Sequence, residues 1–67
     1  MAVLVTPRQR EIVTNLLNGF CDKEIALQMG TSQQTVKSQM ANLVCKLEAN
    51  SRIHAIAIAL RKGEIQL

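Results

Sequence analysis

Between Ser32 and Lys46 the chain sets out hydroxyls, amides and ammonium groups with no carboxylate among them. Ser32, Gln33, Gln34, Thr35, Lys37, Ser38 and Lys46 can all donate hydrogen bonds, and the lysines also attract anions. That chemistry is recognition rather than bond making. His54 is the one histidine of the 67 residues, and no Ser, Cys or Asp is evidently paired with it as nucleophilic chemistry requires. No glycine-rich phosphate loop is present. The two cysteines, Cys21 and Cys45, lack the CxxC spacing of a zinc framework and are expected to be reduced thiols of a cytosolic protein. The residue types point away from an enzyme, a metal centre or a bound cofactor.

The elements that must position these groups are helices. Hydrophobic residues make up 48% of the chain but aromatics only 1%, the single Phe20, so the core is built from Leu, Ile, Val, Met and Ala. That mixture suits packed helices better than strands. The length allows one small domain, residues 1–67, near the lower limit for a self-supporting core and too small for an enclosed pocket of ordinary size. The longest apolar run, Ile53 to Leu60, is interrupted by His54 and far too short to cross a membrane. A cytoplasmic protein with no membrane partner is the expectation.

Helix ends are marked clearly, and they predict four helices over about 7–18, 22–29, 33–47 and 51–62. Thr6, Pro7 and Gln9 read as a capping box with proline at the first helical position. Ile12, Val13, Leu16 and Leu17 then form one apolar stripe, and Gly19 ends it. Asp22 and Glu24 suit the positive start of a second, shorter helix, with Ile25, Ala26 and Met29 on its inner face. Gly30 supplies a turn and Ser32 caps the third helix. In that helix Val36, Met40, Leu43 and Leu47 share one stripe, which leaves Gln34, Lys37, Ser38, Ala41 and Cys45 on the opposite face. Ser51 caps a fourth helix that is apolar nearly all round and therefore needs cover on more than one side.

A short helix, a turn containing glycine and a longer helix, over Asp22 to Leu47, form the pattern of a helix-turn-helix. A helix presented end-on can enter the major groove, about 12 Å wide, where base edges carry a distinct donor and acceptor code. Its free N-terminal N–H groups attract phosphate as it enters. Ser32, Gln33 and Thr35 lie at that mouth; Lys37 and Ser38 lie one turn in, and Ala41 leaves room for close approach or a thymine methyl. The net charge of +3 adds only mild support, but its placement matters. Lys37, Lys46 and Arg52 face one acid, Glu48, between Gln33 and Arg52, whereas the first 32 residues nearly balance.

The run Thr6-Pro7-Arg8-Gln9-Arg10-Glu11, then Gly19, Lys23-Glu24-Ile25-Ala26, Ser32-x-x-Thr35-Val36-Lys37-Ser38, Lys46-Leu47 and Ser51-Arg52 resembles the LuxR-type (GerE-like) helix-turn-helix family of bacterial transcription regulators. The resemblance covers about residues 4 to 65 with the spacing between blocks kept. It implies an all-α, four-helix DNA-binding domain whose third helix enters the major groove. It also implies a homodimer formed through the fourth helix. Carried onto matching positions, it implies base reading by Lys37, Ser38 and Ala41, with phosphate contacts around Lys23, Ser32, Thr35 and Lys46. The chain departs from the family's pattern at Gln9, where Glu is usual, at Cys21, where Ser or Thr is usual, and at Gln39, where His is usual. Either an output domain behind a receiver or ligand-binding domain, or a stand-alone regulator, is compatible with this resemblance.

On the fourth helix, placing Ala55, Ile56, Ala59 and Leu60 toward the core turns His54, Ala57, Ile58 and Arg61 outward, a small patch that a symmetric dimer would bury. The function expected is sequence-specific binding of double-stranded DNA as a transcription regulator, with RNA polymerase as a further partner. The alternative is a protein-interaction module, an adaptor or antagonist of a related regulator, that keeps the fold without specific DNA binding. A third possibility, a sigma-factor-like promoter reader, shares the helix-turn-helix but not the continuous set of blocks.

Overall fold

Four helices follow one another without strands in the computed structural model, which describes residues 5–65. They are α1 (Pro7–Leu17), α2 (Asp22–Met29), α3 (Gln33–Lys46) and α4 (Arg52–Arg61). The bounds agree with the sequence expectation to within one residue at each end. Met1 to Leu4, Gln66 and Leu67, which belong to the expected single domain, lie outside the described residues.

Each helix begins where a side chain meets its free N–H groups. Thr6 Oγ1 accepts the Gln9 N–H at 3.1 Å while Gln9 Oε1 accepts the Thr6 N–H at 3.2 Å, closing the expected capping box. Ser32 Oγ accepts the Thr35 N–H at 3.0 Å and Ser51 Oγ accepts the His54 N–H at 3.1 Å. At α2 the thiol of Cys21 is a weak cap, and the carboxylate of Glu24 reaches back to accept the Cys21 N–H at 3.0 Å.

The core lies around α3, which packs against each of the other three helices. Val36, Met40, Leu43 and Leu47 are buried as one stripe, against Ile12 and Val13 of α1, Ile25 and Ala26 of α2, and Ala55 and Ala59 of α4. The chain ends close over this cluster: Val5 and Ile65 are buried, and Glu64 Oε1 accepts the Val5 N–H at 2.9 Å. Among the described residues no helix is long and apolar enough to cross a membrane.

One expectation is corrected on α4. Ile58 does not point away from the protein; it is half-buried and packs against the core cluster. It follows Ala55 by three residues and precedes Ala59, so helical spacing brings it to the edge of the buried stripe. The outward aliphatic is instead Ile53, 80% exposed, with Ala57 and Arg61 exposed at successive four-residue steps.

Candidate nucleic-acid interface

The candidate site is built on the α2–turn–α3 unit. Three residues, Gly30, Thr31 and Ser32, separate the two helices. Gly30 adopts the left-handed conformation at φ 67 and ψ 36, which a residue with a Cβ rarely takes. The Thr31 N–H then bonds the Ala26 carbonyl at 2.9 Å, turning the chain out of α2 within one residue. Ser32 immediately caps α3, so the turn is held by bonds at both ends.

At the start of α3 the predicted phosphate-facing residues come together. Ser32, Gln33 and Gln34 are exposed and Thr35 is half-buried. The Ser32 and Thr35 hydroxyls lie 2.8 Å apart and share a hydrogen bond, while Ser32 Oγ also accepts the Thr35 N–H. This places two hydroxyl groups and the positive end of a 14-residue helix at one mouth. Lys23, in the first turn of α2, is exposed as well.

Along α3 the residues Gln34, Lys37, Ser38, Ala41 and Cys45 are all exposed, opposite the buried stripe. Their spacing of three or four residues keeps them on one helical face. No carboxylate stands on α3, so nothing on this face repels phosphate. Lys46 is exposed in the last turn, about 20 Å along the axis from Gln33, and does not share the mouth with Ser32. Asn42 is exposed one turn beyond Ser38 and was not among the expected site residues. Its amide could have been found by extending the outward face one position past Ala41.

Two further contacts support the unit without a signal in local sequence. Arg52, at the start of α4, pairs with Asp22, at the start of α2, with Nη1 to Oδ1 at 2.9 Å and Nη2 to Oδ2 at 3.1 Å. Gln9, buried in the first turn of α1, donates from Nε2 to Gln39 in the middle of α3. The Cys21 N–H holds the carboxyl of Glu24 below its ordinary range. On α4, His54 is half-buried and its Nδ1 accepts the Asn50 N–H at 3.0 Å, which ties the ring to the preceding loop; Ala57 and Arg61 are exposed as expected.

Comparison with known proteins covers nearly the whole chain. Residues 3–59 match the model of the family described as bacterial regulatory proteins, luxR family. The chain is 36% identical over 64 residues to the spore germination protein GerE of Bacillus subtilis, covering 96% of this chain and 86% of GerE. It is 37% identical over 59 residues to the transcriptional regulatory protein YdfI of the same organism, covering 88% of this chain. It spans only 28% of YdfI. The solved structure of the transcription factor GerE superposes with a TM-score of 0.92 at 35% identity, covering 97% of both chains. The chain therefore belongs to the luxR family of bacterial regulatory proteins, as an all-α helix-turn-helix DNA-binding domain.

Proposed function

We propose that this chain binds duplex DNA sequence-specifically, as a transcription regulator or the output domain of one, with α3 in the major groove. The observation that carries the proposal is the two-sidedness of α3. Its inner stripe is buried in the core, and its outer face is exposed, free of carboxylates and furnished with Gln34, Lys37, Ser38 and Ala41. Ser32, Gln33 and Thr35 meet the phosphate backbone at the helix mouth, and Lys23 and Lys46 add cationic contacts on either side. Lys37, Ser38 and Ala41 meet the bases, with Asn42 as a further amide within that face. Only one of these groups is charged, so shape and ordered water share in selectivity.

Two copies pair through α4. The surface that supports this is Ile53, Ala57 and Arg61, with His54 at its edge, because Ile58 is largely taken up by the core. Such a regulator works in the cytoplasm, where recruiting or blocking RNA polymerase is the step that DNA binding would control.

Selection of bound duplexes from a random pool, followed by titration at several salt concentrations, tests the proposal. A dimer neutralising about 8 phosphates should show a log–log salt slope of about −7. A selected site with two-fold symmetry is expected. Absence of any enriched duplex, or salt-insensitive binding, overturns the reading.

A further inference from the structure

Gln9 is the buried polar residue among the described residues, only 2% exposed. Such an amide must satisfy its polar atoms within the protein, and Gln9 divides them between two helices. Its Oε1 accepts the Thr6 N–H at 3.2 Å, which belongs to the cap of α1. Its Nε2 faces α3, where it lies 3.4 Å from both the backbone carbonyl and the Oε1 of Gln39. These are long, shared hydrogen bonds that span 30 residues of sequence.

Their direction is what matters. The Val36, Met40 and Leu43 stripe fixes which face of α3 meets the core, but apolar burial is itself non-directional and leaves fine rotation and sliding to be set by directional contacts. A bond to one carbonyl and one side chain at the centre of α3 constrains both. Gln39 follows Lys37 and Ser38 directly and is half-buried at the border between the inner stripe and the outer face. A small rotation about that point would swing Lys37, Ser38 and Ala41 across base edges.

We propose that Gln9 is a positioning residue for α3: its side-chain amide sets the helix's rotation and axial placement, and with them the DNA sequence preferred by the outward residues. This rests on the DNA-reading role of α3 proposed above. A carboxylate at position 9 would offer only acceptors to the Gln39 backbone carbonyl, whereas the Gln9 amide supplies it with a donor.

The test uses the 67-residue chain with Gln9→Glu, Gln39→His, the double variant, and Gln39→Ala as a milder change in case Gln9→Glu does not fold. Two readouts are taken: the ratio of affinities for a selected and a random duplex, and the backbone NMR shifts of residues 37–41. Gln9→Glu keeps the acceptor for Thr6 but sets a carboxylate against the backbone carbonyl of Gln39, which has no proton to offer. We expect it to lower the affinity ratio about tenfold and to move the α3 shifts, with both restored in the double variant. Gln39→Ala should move both in the same direction, by about threefold in the ratio. Folded variants with unchanged α3 shifts and an unchanged ratio overturn the proposal. If the unaltered chain prefers no duplex, the DNA reading fails, and the α3 shifts alone still decide whether Gln9 places the helix.

Discussion

Arg52 holds Asp22 with both arms of its guanidinium, at 2.9 and 3.1 Å, and so joins the first residue of α4 to the first residue of α2. The proposed pairing helix is thereby tied to the helix-turn-helix by a planar, two-bond contact that a lysine cannot reproduce. Asp22 also sits at the positive end of α2, where a lone carboxylate would stand beside the proposed phosphate contact of Lys23. Arg52 answers that charge from another helix.

Breaking this contact should loosen the junction without unfolding the protein. The side chains are 38% and 12% exposed, so solvent screens part of the attraction. Arg52→Lys is expected to cost about 1 kcal/mol in urea unfolding, since it keeps the charge and loses the fork. In a double-mutant cycle, Asp22→Ala and Arg52→Ala should combine for less than the sum of their separate losses. Strict additivity would leave the pair without energetic weight.

Ile53 and Ile58 should behave oppositely when each is changed to Glu. Ile58 packs against the core, and a charge there should lower stability by about 2 kcal/mol. Ile53 is 80% exposed, so its substitution should leave stability within about 0.5 kcal/mol while weakening cooperative binding to paired half-sites. Thermal melts and gel shifts on single and paired half-sites separate the two. Intact cooperativity in Ile53→Glu would remove this residue from the dimer surface.

Lys37 and Ser32 should differ in the kind of binding they lose. Lys37→Ala should weaken a selected duplex about tenfold to a hundredfold and a random duplex much less. Ser32→Ala removes the cap of α3, at about 1 kcal/mol of stability, and should weaken both duplexes alike. Equal losses for Lys37→Ala would reassign that side chain to phosphate.

Acid should loosen the start of α2 through Glu24. The Cys21 N–H bond lowers this group's folded-state pKa. Its contribution is therefore present above the unfolded value and lost as pH falls through the lowered folded value. The carboxyl is fully exposed, so the effect on the whole protein is small and is best read locally. In an NMR titration the Cys21 amide and the Glu24 carboxyl should report one transition, below the ordinary carboxylate range. A Glu24 transition at the ordinary value would show that the bond does not hold in solution.

Helix starts are legible in the sequence because Thr6, Ser32 and Ser51 each act within three residues of themselves. Three helix-ending glycines are legible for a similar reason: Gly19, Gly30 and Gly63 all take positive φ. The left-handed turn just past α3 is not, since Glu48 adopts φ 54 there with no glycine to announce it. Gln9 with Gln39, Asp22 with Arg52, and Val5 with Glu64 escape for a different reason: they join residues 30 to 59 apart, and no local period records such pairs. Ile58 is misplaced because alternating Ile and Ala leave α4 without a polar face to set its phase. The outward residues of α3 are legible because its inner stripe and outer face differ sharply in polarity.

That division within α3 has a consequence for how the protein can change. The groups that hold the helix in place are Ser32, Val36, Met40, Leu43 and, through its bond from Gln9, Gln39, and none of them is among the outward groups Gln34, Lys37, Ser38 and Ala41. Fastening and vocabulary are written in separate letters of the same helix. On the proposed reading of α3, new DNA preferences would be installed at the outward positions at little cost to folding.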